Sequence, residues 1–328
     1  MYHLGGMGID MNAGDRKTLT PANHRIVNNK IYKFGEVATI SVGIRLTGVG
    51  TTIAHNEIFE GNYGGISFGG NDHVMEYNEL YHLGLDGGDY GFFYSNADWA
   101  GAGSVVRYNF GHHASNGNFF YVDDGKSYER GERNLVYKVS AGLFLGGGHK
   151  NEFWQNVICD SGVALHMDDR GVSRKYDEKS QYHMRNFNAF AKDNELYTNK
   201  YPGIERIYLD DPTLPTGNVV HENMMMACKQ NERFYGNKAN FSKMTVEKNE
   251  QVDNLDAFTN IEKLDFTLCS PSTAPKPMAW LNEHFSKIGL VTDEYRTELR
   301  DNPARYDFKK VVPDFQSIKD TEASNKRN

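Results

Sequence analysis

Thr52-Ile-Ala-His-Asn56-Glu-Ile58, Val74-Met-Glu-Tyr-Asn78-Glu-Leu80, Val105-Val-Arg-Tyr-Asn109 and Glu152-Phe-Trp-Gln-Asn156-Val-Ile158 are copies of one phrase. A weaker copy precedes them at Ile26-Val-Asn-Asn29-Lys-Ile31. The Asn residues are 27, 22, 31 and 47 residues apart, the last interval being about two turns. A recurring period in the low-to-mid twenties marks a stacked solenoid, in which each unit buries its apolar face only against its neighbours.

A second ladder has the same rhythm. Gly48-Val-Gly50, Gly70-Asn-Asp72, Gly101-Ala-Gly103, Gly146-Gly-Gly148 and Gly217-Asn218 punctuate the coils. Gly and Asn tolerate the positive φ of sharp corners. Short apolar strands precede most corners: Ile44-Arg-Leu46, Ile66-Ser-Phe68, Phe92-Phe-Tyr94, Phe120-Tyr-Val122, Leu143-Phe-Leu145 and Leu165-His-Met167. Side chains alternate across a strand, so the middle residues form an outward column: Arg45, Ser67, Phe93, Tyr121, Phe144, His166. The expected fold is all-β, a right-handed parallel β-helix over residues 1–240. A charged, Tyr-rich loop or lid leaves it near 172–206, with a helical segment at Asn186–Lys192, and a coil returns at Gly217 to Asn223. Residues 241–328 read as a C-terminal extension packing on the solenoid, with a short helix at Ala279–Phe285 and a polar tail from Thr321.

The 328 residues carry 33 Gly, 19 Tyr and 19 Phe with a net charge of −7, which describes a folded, mildly acidic chain. Nucleic acid is not the expected partner, because phosphate neutralisation needs Lys and Arg clusters. No apolar run approaches the ~20 residues of a membrane helix, and no signal-peptide pattern precedes Gly5-Gly6. Cys159, Cys228 and Cys269 lack metal or disulfide spacing and read as buried free thiols. His112-His113 would need further ligands to bind a metal, and adjacent strand residues point apart.

Carboxylates gather where the strands end: Asp123-Asp124, Asp168-Asp169-Arg170, and Asp86 with Asp89 before a strand. Alternation puts Asp123 and Asp168 in line with Tyr121 and His166, with Gly146 between them. At ~4.8 Å per strand, two coils separate the backbones by about 9.6 Å, and Gly146 leaves that space empty. A carboxylate pair flanking a hollow is what glycoside hydrolysis uses, one group protonating the leaving oxygen and the other activating water or attacking carbon. The competing reading is corner capping, since Asp side chains commonly accept turn amides. For the Asn ladder the structural role is the expected one. Phe93, Tyr121, Phe144, Trp99 and Trp154 are candidates for a sugar-stacking platform, or core where they face inward.

Further motifs point the same way: Gly70-Asn-Asp-His-Val-Met-Glu-Tyr-Asn78, Gly88-Asp-Tyr-Gly91, Asp98-Trp99, Val106-Arg-Tyr-Asn109, Val122-Asp-Asp-Gly125, Gly146-Gly-Gly148, His166-Met-Asp-Asp-Arg-Gly171, Asp210-Asp-Pro212, Gly217-Asn-Val-Val220, Lys287-Ile-Gly-Leu290 and Asp293-Glu-Tyr-Arg296. Together these resemble the bacterial right-handed β-helix proteins related to family-141 glycoside hydrolases, over most of the chain. The resemblance implies action on plant polysaccharides, as fucosidases or xylanases, with carboxylates at positions matching Asp123 and Asp168. It also implies a secreted or periplasmic location. Two departures stand out. Where relatives often read Gly-Arg-Asp-Trp followed by another Arg, this chain has Asn96-Ala-Asp-Trp99 and Ala100-Gly-Ala-Gly103, so two substrate-binding cations are missing. The start at Tyr2-His-Leu-Gly-Gly6 falls inside a coil, as expected of a fragment or truncated product.

The resulting expectation is a carbohydrate-active hydrolase of plant or host polysaccharide. Asp123 and Asp168 serve as acid and base or nucleophile, and Asp89, Tyr121, Asp124, His166, Asp169 and Arg170 position the sugar. No metal or cofactor is assigned. The alternatives are a polysaccharide lyase on the same scaffold, with a Lys, Arg or Tyr base and often calcium, or a non-catalytic glycan-binding β-helix.

Overall fold

The computed structural model describes residues 1–114 and 116–299. It is a right-handed parallel β-helix with three parallel sheets of nine, eight and eight strands. Each full coil contributes one strand of three to six residues to each sheet. The first sheet runs from Tyr2–Leu4 to Glu250–Val252, the second from Ile9–Ala13 to Gln230–Tyr235, and the third from Arg25–Val27 to Thr245–Glu247.

Inward columns explain the stacking. In the third sheet Ile26, Ile53, Met75, Val106, Gly131, Phe153, Val220 and Val246 follow one another in register. In the first sheet the column is Ile31, Ile58, Leu80, Gly111, Val136, Ile158 and Met225. Most of these residues belong to one continuous core. Each fully buried aliphatic side chain contributes ~1.5–3 kcal/mol, so a coil is held by the coils above and below it. The two glycines are spaces for rings: a Cβ at Gly111 would lie 2.3 Å from Phe119, and one at Gly131 would lie 2.9 Å from Phe120.

The Asn ladder is continuous and has eight rungs: Asn29, Asn56, Asn78, Asn109, Asn134, Asn156, Asn223 and Asn249. The long interval after Asn109 contains Asn134, in Glu132-Arg133-Asn134-Leu135, where the phrase is weak. From Asn56 onward each Oδ1 accepts both the Nδ2 and the backbone N–H of the preceding rung, as Asn109 does from Asn78 at 3.0 and 2.9 Å. The positive φ at these corners belongs to the residue before each Asn, from Asn28 and His55 to Glu222 and Lys248, and in no case to a glycine. The glycine ladder serves the other corner, where Gly70 has φ 99° and a Cβ would lie 2.1 Å from the Gly48 carbonyl oxygen.

Four further sequence expectations change. Stacked strands continue past 240 to Val252. Phe93 is not outward: it pairs with Ile66 and Phe120 and is fully buried, and Tyr94 takes the outward position opposite Ser67 and Tyr121. The His112 and His113 rings meet, Nδ1 to Nδ1 at 2.8 Å, because His113 adopts φ 53° and folds back. Of the three free thiols, Cys159 is buried, Cys228 half-buried and Cys269 exposed.

Between Asp168 and Val219 the chain leaves the solenoid, so that Asn156 and Asn223 are 67 residues apart where Asn56 and Asn78 are 22 apart. This excursion forms the short helices Arg170–Arg174, Gln181–Asn186 and Glu195–Lys200 and a π-helical turn at Phe187–Ala191. It packs on the solenoid through its own core, in which Tyr176, Met184, Phe187, Tyr197 and Ile204 surround Trp99. Beyond Val252, an antiparallel pair (Phe258–Asn260 with Asp265–Leu268) and the helix Leu281–His284 cover the first sheet with Phe266, Met278 and Trp280. The polar tail from Thr321 lies outside the described residues.

Candidate functional site

The site occupies the outer face of the second sheet, on neighbouring strands Gly91–Asn96, Asn118–Asp123, Ala141–Gly146 and Val163–Asp168. Register gives the outward column as Arg45, Ser67, Tyr94, Tyr121, Phe144 and His166. Its aromatic members form a continuous contact, with centroids 5.3 Å (Tyr94–Tyr121), 4.5 Å (Tyr121–Phe144) and 3.9 Å (Phe144–His166) apart. Two residues along each strand lies a second column, in which Asn96 pairs with Asp123 and Gly146 with Asp168.

Asp123 and Asp168 thus face the same way with Gly146 between them, but the space over Gly146 is filled. Asp169 precedes the helix Arg170–Arg174, and that turn brings the Arg170 side chain back across the sheet. A Cβ on Gly146 would lie 2.9 Å from the Arg170 guanidinium carbon. The guanidinium binds Asp168 twice, from Nε at 2.9 Å and from Nη2 at 2.6 Å. Its Nη1 donates to Asp123 and, at 3.2 Å, to the Tyr121 hydroxyl. The faces of Tyr121 and Phe144 lie beneath it, with centroids 5.7 and 5.1 Å from Cζ.

The two carboxyls are pushed in opposite directions. Asp123 also accepts from the Tyr94 hydroxyl at 2.9 Å and the Asp124 amide at 2.7 Å. Its burial nevertheless outweighs Arg170 and the tyrosines, so its pKa is raised. Asp168 is equally buried, but the nearby His166, with Nε2 3.7 Å away, and the hydrogen bonds from Arg170 overcome that cost and lower its pKa. Burial pushes the neighbouring His166 down, against the pull of Asp168. Burial also disfavours charge on Arg170, yet Asp168, Tyr121 and Asp123 together hold it firmly protonated. Three carboxyls (Asp123, Asp124, Asp168) face two arginines (Arg170, Arg174). That imbalance leaves room for one proton, consistent with the direction at Asp123.

The remaining expected residues divide. Tyr121 and His166 belong to the cluster. Asp124 touches it, 3.4 Å from Arg170 Nη1, but mainly anchors the excursion: its carboxylate pairs with Arg174 and its carbonyl accepts from His183 Nε2 at 2.8 Å. Asp169 is turned away, accepting from the Asn237 amide at 3.0 Å and Asn240 Nδ2 at 2.6 Å. Asp89 is exposed at the opposite ends of the strands, where its carbonyl accepts from Tyr63; its charge adds to the burial that raises the Tyr63 phenol. Trp99 is core under the excursion, and Trp154 lies on the third sheet against Arg133 and Glu132. Tyr94, Asn96 and Arg174 were missed by the sequence reading. For Tyr94 and Asn96 the signal was present, since polar residues at i and i+2 of Gly91-Phe-Phe-Tyr-Ser-Asn96 mark the outward side.

Among the described residues no group of three or more His, Cys, Asp or Glu is placed to hold a metal ion, and no helix is long and apolar enough to cross a membrane. Comparison of the chain with protein-family models, characterised proteins and solved structures gives no match.

Proposed function

We propose that this chain is a glycoside hydrolase in which Asp123 donates the proton to the glycosidic oxygen and Asp168 acts as base or nucleophile. The observation that carries the reading is the pair itself: two buried carboxyls on one face, two coils apart, with proton affinities moved in opposite directions. Carboxyls pushed apart in this way divide acid and base work between them. The aromatic column offers apolar ring faces of the kind that pack on sugars, and the resemblance to family-141 relatives favours a plant polysaccharide. For the acid to reach a glycosidic oxygen, Arg170 has to leave the space over Gly146, so substrate entry is coupled to movement of the first turn of the excursion.

A second reading rests on that same guanidinium. If Arg170 stays between the carboxyls, the cluster is a fixed clamp and the protein binds glycan without cleaving it. The lyase alternative is weaker, because Arg170 is held too firmly protonated to serve as a base, and among the described residues no acidic group is placed to hold calcium.

The test is release of reducing ends from a panel of plant and host glycans by the parent, Asp123→Asn, Asp168→Asn and, as comparator, Asp124→Asn. Turnover should fall by ~100-fold or more in the first two and far less in the third. Near-normal turnover in either of the first two would reject the assignment. Binding without turnover would favour the clamp, and an unsaturated product would favour the lyase.

A further inference from the structure

Two clefts open on the same sheet beside the carboxyl cluster and share Arg45 and Ser67. One, of about 240 Å³, is walled by Ile40, Val42 and Tyr63 and reaches Tyr94. The other, of about 220 Å³, lies at the carboxyl ends of the strands and is bounded by Asn96 and by Tyr182 of the excursion. Three arginines from distant parts of the chain line it, Arg16, Arg45 and Arg185, against one carboxylate, Asp98. With Asp10, which pairs with Arg45, three cations face two carboxylates, so in a chain of net charge −7 the cleft keeps a local positive excess.

The arginines are held to different degrees. Arg16 is the most fixed: Nε donates to Asn71 Oδ1 at 3.1 Å, Nη2 pairs with Asp98 at 2.8 Å, and the Phe190 ring lies 4.5 Å from Cζ. Arg45 is exposed but pairs with the equally exposed Asp10 through both Nε, at 2.9 Å, and Nη2. Arg185 is exposed, on the helix Gln181–Asn186, and has no ion-pair partner among the described residues. The cleft connects directly to the acid. Asn96 Nδ2 donates to the Tyr182 hydroxyl at 2.8 Å and the Tyr94 hydroxyl at 3.1 Å, and Tyr94 donates to Asp123.

We propose that Arg16, Arg45 and Arg185 form an anionic-sugar subsite, which takes the carboxylate or sulfate of a glycan residue next to the bond presented to Asp123. This rests on the hydrolase reading for its place in catalysis, but not for binding. Planar guanidinium forks match carboxylate and sulfate oxygens, and the aromatic and aliphatic wall of the adjoining cleft accepts the next ring. The substrate class is therefore an acidic polysaccharide, uronic or sulfated, and the excursion contributes to its recognition through Arg185.

Calorimetric titration of the full chain with a galacturonic acid hexamer, a sulfated hexasaccharide and a neutral xylose hexamer tests this. At least one acidic probe should bind about tenfold or more tightly than the neutral one, and added salt should weaken that binding. A preference for the first acidic probe identifies a carboxylate as the ligand, and a preference for the second identifies a sulfate ester. Arg185→Gln and Arg45→Gln, both exposed positions, should each weaken acidic binding by about tenfold, while Arg185→Lys recovers part of the loss. Equal affinity for neutral and acidic probes, no binding of any probe, or unchanged affinity in both Gln variants would overturn the subsite. If the bound acidic glycan is never cleaved by the parent, the hydrolase reading fails and the subsite stands.

Discussion

Asn109→Ala removes an interior rung of the ladder, and its cost can be worked from the bonds lost. Asn109 is fully buried. Its Oδ1 is the acceptor of the Asn78 backbone N–H at 2.9 Å, and its Nδ2 donates to the Met75 and Arg107 carbonyls, both at 2.9 Å, and to Asn134 Oδ1 at 3.0 Å. Alanine strands the Asn78 N–H, at about 1–3 kcal/mol, and each carbonyl bond lost adds about 1 kcal/mol net. The expected total is about 3–5 kcal/mol. Asn29 is the control, because it ends the ladder. Its Nδ2 donates to the Val27 carbonyl at 3.1 Å and Asn56 Oδ1 at 3.0 Å, but among the described residues no amide depends on its Oδ1. Asn29→Ala should therefore cost only ~1 kcal/mol. Asn134→Ala, at the rung hidden in a weak copy of the phrase, strands the Asn109 N–H but loses one carbonyl bond, to Val106, and should cost about 2–4 kcal/mol. Urea unfolding followed by far-ultraviolet circular dichroism gives the three values. Costs within about 0.5 kcal/mol of each other for Asn29 and Asn109 would refute the ladder argument, since its content is the stranded amide.

The Asp→Asn pair used for turnover should also separate in stability. Asp168, held below its ordinary 3.8, contributes stability that is complete above that value and lost as pH falls through the lowered one. Asp123, held above 3.8, opposes folding increasingly as pH rises towards its raised value. At pH 7, Asp168→Asn should lower the melting temperature and Asp123→Asn should not, and the reverse order would contradict the assigned directions. Arg170→Gln leaves both carboxyls buried without their cation and should cost about 3–5 kcal/mol at neutral pH. The loss should shrink as the medium becomes acidic enough to protonate them; a pH-independent loss would argue against the clamp. His183 is lowered by burial to about 4, so the stability it lends the excursion should fade as pH drops from its ordinary 6.5 through about 4. Hydrogen exchange, corrected for intrinsic rates, should show 176–207 loosening ahead of the coils, and equal protection at pH 4 and 7 would exclude this.

Much of the fold was written locally. The Asn phrase and the glycine corners recur with each coil, and alternation within a strand is a two-residue property, so the parallel stack and the shared face of Tyr121, Asp123, His166 and Asp168 could be read without coordinates. Gly146 between the carboxyls followed from the same count. What the sequence could not decide depends on where chain segments far apart come to rest. The one-residue shift that puts Tyr94 outward and Phe93 inward depends on which ring fits against Ile66 and Phe120. Gly146 reads as a hollow in the sequence, and only the helical turn after Asp168 makes it the berth of the Arg170 side chain. The excursion reads as a charged, Tyr-rich loop or lid, yet it packs around Trp99, and that packing brings Arg185 to the cleft already lined by Arg16 and Arg45. Periodicity fixes contacts between residues one coil apart; contacts made by departures from the period arise only from packing.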